Sequence, residues 1–112
     1  MRENPRFREA AKSIAEHLAS GHYDQLVKSG MLAATDVAGV REEIEHYGRT
    51  LSGLPAEALE AAHEYDLGDG SYRVEVQLWT AEEGESDLTL TLNARQSSSG
   101  APIVRLQKVH VM

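Results

Sequence analysis

The stretch "SYRVEVQLWTAEEGESDLTLTL", residues 71–92, decides how the chain is read. Tyr72, Val74, Val76 and Leu78 alternate with Arg73, Glu75, Gln77 and Trp79. Leu88, Leu90 and Leu92 alternate in the same way with Thr89, Thr91 and Asn93. A period of two puts one set of side chains on each face of a strand, so both runs predict antiparallel strands with one buried and one wet face.

Three readings are open for the acids between them, Glu82, Glu83, Glu85 and Asp87: a metal loop, an acidic catalytic cluster or a hairpin turn. A calcium loop of the EF-hand kind needs oxygen ligands at alternating positions, a central glycine and a closing glutamate. "TAEEGESD" does not supply that pattern. Gly84, Ser86 and Asp87 are ordinary turn residues, and the turn is the preferred reading. Its acids keep an edge-exposed loop soluble.

Outward from this pair the pattern continues. "IVRLQKVHVM" near the C-terminus reads as a last strand, but Val104 and Leu106 are out of phase with Val109 and Val111. One extra residue near Gln107 or Lys108 would bring all four to the buried side, which predicts a β-bulge and a bent sheet. "QSSSGAP" before it is a polar turn. "AHEYDL", residues 62–67, alternates weakly and ends on the turn signal "GDG".

The first half has helical periods. Asn4 as a cap, Pro5 at the first helical position and Phe7, Ala10, Ala11, Ile14 and Leu18 on one face predict a helix that Ser20 and Gly21 stop. A short second helix carries Tyr23, Leu26 and Val27 and stops at Gly30. Thr35 or Asp36 can cap a third, striped by Val37, Val40, Ile44 and Tyr47 and closed by Gly48. "RTLSGLPAEALE" reads as a connector with room for a single turn after Pro55. Helices followed by strands imply one α+β domain over residues 1–112, helical over about 4–48 and β over about 60–112. The expected architecture is three N-terminal helices packed on a curved, four-stranded antiparallel sheet.

Composition excludes several classes. The chain of 112 residues has a net charge of −7, from 18 acids against 11 Lys and Arg. That argues against nucleic acid and anionic membranes, which need clustered cations. A solvated acidic surface is the preferred reading, and a basic protein partner is permitted. No cysteine is present, so there is no disulfide, thiolate zinc site or cysteine nucleophile, and a reducing, cytoplasmic setting is expected. The N-terminal stretch has no apolar h-region, so no signal peptide is expected, and no apolar run approaches the ~20 residues of a membrane span.

The five histidines form no HxxxH or HxH pair, and neither GxSxG nor a phosphate-binding glycine loop occurs, so no metal, cofactor or catalytic residue is assigned. His17 and His46 fall near helix C-termini, where a cation is favoured. If the curved sheet encloses a pocket, Tyr47, His63, Tyr65 and His110 are the candidates to line it. Their plain alternative is to fill core edges or face solvent. Trp79, the only tryptophan, is an interface candidate together with Glu82, Glu83, Glu85 and Asp87; equally, it caps the sheet end.

The order of three helices before a curved antiparallel sheet resembles the NTF2-like superfamily, whose α+β cone overlaps with the cystatin-like shape. More narrowly, "LWTAEEGESDLTL" with the closing "VHVM" is similar to a small bacterial domain family of unknown function placed near that fold. The resemblance implies a cone that dimerises through its sheet in many members. Some members are isomerases, cyclases or dehydratases, and others only bind ligands or proteins. No catalytic motif carries over to a position of this chain. The expected function is a non-catalytic protein-interaction or binding module, one form being an immunity-type protein that neutralises a basic toxin. A small-molecule binder or lyase/isomerase-like enzyme and a structural oligomerisation domain are the alternatives.

Overall fold

The computed structural model describes residues 5–96 and 102–111, with side chains over 8–95 and 103–111. The expected Asn4 cap, the Phe7 side chain, residues 97–101 of the expected turn at 96–102 and Met112 lie outside the described residues. Helix α1 runs Pro5–Ser20 and α2 Tyr23–Lys28; a single 3-10 turn, Ala34–Asp36, leads into α3, Val37–Tyr47. Strand β1 is Leu51–Ser52, α4 is Ala56–Glu60, and β2 to β5 are His63–Asp66, Ser71–Thr80, Gly84–Gln96 and Pro102–Val111.

The fold is a mixed α+β domain with a curled antiparallel sheet, a half-barrel, and four helices among the described residues. Two expectations are corrected. The sheet has five strands rather than four, and the single turn allowed for after Pro55 is a fourth helix, α4, beside the three expected. Both additions come from the connector, which carries a two-residue strand and then one and a half turns of helix, so β structure begins at Leu51 and not near residue 60. Two residues have no period to read, and a five-residue helix is too short to form without tertiary support.

The sheet order is β1-β3-β4-β5, and β2 also pairs with β3. β1 meets β3 at Trp79 and Thr80, while β2 meets it at Tyr72–Glu75. The two short strands therefore share one edge of β3 and leave its middle unpaired. Helix α4, between them in the chain, packs against β3.

The core is one cluster. Ala11, Ile14, Ala15 and Leu18 of α1, Leu26 of α2 and Val40 of α3 bury against Val74, Val76, Leu78, Leu88, Leu90, Leu92, Val104, Leu106 and Val109. The helical stripes and the alternating leucines thus meet as their periods predict. Asp36 stands at the N-cap of α3 but makes no side-chain cap bond. At the other end Gly48 takes φ 78°, a left-handed conformation that glycine adopts without a Cβ clash, and its N–H donates to the Ile44 carbonyl.

The phase slip in β5 is a bulge. Thr91 pairs with Lys108 and Leu92 with Leu106, so Gln107 is the extra residue. Val104, Leu106 and Val109 are buried, but Val111 is 49% exposed, against the expectation that it joins them. It sits at the last described position of an edge strand, opposite Leu88. The Leu106 N–H donates to the Met31 carbonyl, tying the sheet edge to the chain after α2. β2 is exposed at all four positions, which is why its alternation is weak: neither face meets a core. No helix among the described residues is long and apolar enough to cross a membrane.

Candidate functional site on the second sheet face

The register carries Arg73, Glu75, Gln77 and Trp79 of β3 onto the same face as Glu85, Thr89, Thr91 and Asn93 of β4 and Arg105, Lys108 and His110 of β5. His63 and Tyr65 of β2 pair with Glu75 and Arg73 and share it. This is the face opposite α1, α2 and α3, and it was expected to be wet. It is not uniformly so: Thr89 is 3% exposed and Thr91 1%. Both are short β-branched residues in the middle strand. Thr89 lies between Gln77 and His110 in the register, and Thr91 between Glu75 and Lys108.

Four buried polar atoms have no hydrogen-bond partner among the described residues: Trp79 Nε1, Thr89 Oγ1, Thr91 Oγ1 and His110 Nδ1. All four belong to this face. Buried polar groups without partners are rare in folded proteins and cost about 1–3 kcal/mol each, so four of them on one face set it apart from the rest of the described surface.

Beside them lies a cavity of about 210 Å³, lined by Ala58, Ala61, His63, Glu75, Gln77, Glu85 and Thr89. It forms where the edge of β3 has no strand and α4 lies alongside. Two alanine side chains form its apolar wall. Its polar groups are the carboxylates of Glu75 and Glu85, the imidazole of His63, the Gln77 amide and the Thr89 hydroxyl. Gln77 Nε2 donates to the Ser86 carbonyl at 2.9 Å, which leaves its oxygen as the free acceptor. Arg73 Nε stands 3.6 Å from Glu75 Oε2, an exposed ion pair at the rim.

The acidic stretch of 82–87 is a hairpin with internal partners. Glu82 accepts from the Thr50 N–H at 2.9 Å and the Thr50 hydroxyl at 2.8 Å. These bonds, with Arg49 nearby as a lesser cause, hold the Glu82 carboxyl below its usual range. Glu83 accepts from the Tyr47 hydroxyl at 2.9 Å and from Thr80 Oγ1 at 3.2 Å. Tyr47 in turn accepts from the Asp87 N–H at 3.2 Å. The hairpin is thus fastened to the end of α3 and the start of β1. Inside it, Ser86 Oγ donates to the Leu78 carbonyl at 2.6 Å and accepts from the Leu88 N–H, which stitches the register shift between Gln77 and Trp79. Gly84 has φ 77°, and a Cβ there would meet the Trp79 ring at 3.5 Å.

The structure separates the candidate pocket residues. Tyr47 belongs to the hairpin clasp. His63 and Tyr65 stack at 6.4 Å on the exposed strand β2, with Arg73 over the Tyr65 ring at 4.8 Å. His110 lies on the same face but on β5, three strand spacings or roughly 14 Å away. Of the four, His63 lines the cavity. Trp79 is half-buried beside Gly84, and Glu85 reaches the cavity. Sequence reasoning did not single out Glu75, Gln77, Thr89, Thr91, Ala58 or Ala61. Alternation placed the first four on this face, but their convergence depends on α4 and on which neighbours flank them. Among the described residues no group of three or more His, Asp or Glu could hold a metal ion.

No curated protein and no solved structure matches the chain. A family model described as Domain of unknown function (DUF7668) matches residues 15–112, from the middle of α1 to the end of the chain, and the chain belongs to that family.

Proposed function

We propose that this domain is a non-catalytic binding module that recognises a protein partner with the sheet face opposite α1, α2 and α3. The observation that carries the reading is the set of four unpartnered buried polar atoms on that one face, from Trp79, Thr89, Thr91 and His110. Aromatic and polar groups of this kind become strong contacts when a partner seals them from water. The net charge of −7 favours a basic partner, and an immunity-type protein that neutralises a basic toxin is one specific form of it. An NTF2-like or cystatin-like cone of bacterial, cytoplasmic origin belongs to the same proposal. It is supported by the order of helices before a bulged, curled sheet. A homodimer through the sheet is its variant.

The test is photo-cross-linking in the host cell, with p-benzoylphenylalanine in place of Arg105 on the sheet face or of Lys12 on the exposed side of α1. A discrete heavier adduct from position 105 and none from position 12 is expected. An adduct of twice the chain mass identifies the homodimer. Equal labelling from both positions, or none from either, overturns the reading.

A further inference from the structure

We propose that the cavity between α4, β2 and β3 is a recognition site for an ammonium group on a short alkyl stem, a reading that rests on the sheet face being the recognition surface. The lining is rich in acceptors. Glu75 and Glu85 accept only, Gln77 spends one amide N–H on the Ser86 carbonyl and offers its oxygen, and the Thr89 hydroxyl lacks a partner. Such a set is completed by a donor-rich cation and by few other groups.

Thr89 separates this site from a mere pair of surface acids. It is 3% exposed, it lines the cavity, and its oxygen has no partner, so a donor that enters there satisfies a buried group instead of competing with water. Ala58 and Ala61 give methyl groups for an alkyl stem. The volume of about 210 Å³ lies below the roughly 300–1,000 Å³ of ordinary ligand pockets, which suits a short chain and not a ring system. The rim already draws one cation, since Arg73 pairs with Glu75. The ammonium can arrive on a free amine or as a lysine of the partner, and the chemistry is the same.

The experiment is titration of the intact chain, followed by amide chemical shifts and calorimetry. The probes are n-butylammonium, n-butanol, butyrate and the blocked peptide acetyl-Ala-Lys-Ala-amide. Saturable shifts at His63, Glu75, Gln77 and Thr89 with butylammonium are expected, weakening at higher salt. Glu75→Gln and Glu85→Gln should each weaken binding at least five-fold, and Thr89→Val about three-fold, with dispersed spectra as the check on folding. Tighter binding of the peptide than of butylammonium points to a partner's lysine, and the reverse to a free amine. The inference is overturned if butanol or butyrate binds as well, if shifts are confined to Glu82 and Glu83, or if butylammonium does not saturate. Position 105 cross-links that persist without ammonium binding would leave the sheet-face reading standing and remove this one alone.

Discussion

Leu90 and Thr91 are neighbours in β4 whose side chains point to opposite faces, both fully buried, at 0% and 1% exposure. Leu90 fills the core between the helices and the sheet. Leu90→Ala is expected to cost about 2–5 kcal/mol, read as a lower urea midpoint, because the cavity it leaves collapses only in part. Val111→Ala, at the exposed end of β5, should change stability by no more than about 0.5 kcal/mol. Thr91 asks for something different. Its hydroxyl is buried without a partner, so Thr91→Val removes an unsatisfied group while keeping the shape. The melting temperature should hold or rise, although Thr→Val is ordinarily a loss where the hydroxyl is bonded. A fall of several degrees would mean that the hydroxyl has a partner in solution.

At the scale of elements, the hairpin clasp and the β5 bulge make separable predictions. The Thr50 N–H and hydroxyl lower the pKa of Glu82 in the folded state. The unfolded chain therefore takes up a proton at Glu82 at higher pH than the folded one does. The stabilisation is present above the ordinary glutamate range and is lost as pH falls through the lowered folded value. A carboxyl titration of Glu82 by NMR should show a midpoint below the ordinary range, and Thr50→Val should raise it. For the bulge, Gln107→Ala should be mild, since the side chain is exposed. Deleting Gln107 is different. It restores a strict period of two, which forces either Val104 and Leu106 or Val109 to the wrong face. Exposing such residues costs about 1.5–3 kcal/mol each, so the deletion should lower the urea midpoint far more than the substitution.

For the whole molecule, the Cα radius of gyration is 13.3 Å, which agrees with about 13 Å for a compact monomer of this length. The proposed binding of a different protein implies a chain that is monomeric on its own. Small-angle scattering should then give a radius that does not grow with concentration, whereas a homodimer through the sheet face would raise it by about a third. The same face explains why much of the site was hard to read in advance. His63 and Glu85 stood among the candidates for unrelated reasons. Glu75, Gln77 and Thr89 looked like ordinary outward positions, because a side chain's burial on an open face depends on what flanks it across strands.

The sequence by itself determined what depends on neighbours along the chain. The period of two in residues 71–80 and 87–94, the helical stripes of α1 and α3, the hairpin at Gly84 and a bulge near Gln107 or Lys108 are properties of backbone geometry acting on a local pattern. Tertiary structure alone decided the rest. β1 exists because Leu51 and Ser52 meet Thr80 and Trp79, about thirty residues away, and α4 because the middle of β3 had an edge to cover. Glu82 and Glu83 of the hairpin became fasteners because Thr50 and Tyr47 arrive beside them. Thr89 and Thr91 are buried in the middle strand between residues of two others, Gln77 and His110 about the one and Glu75 and Lys108 about the other. Each of these joins residues far apart in sequence, and no local period records which of them will meet.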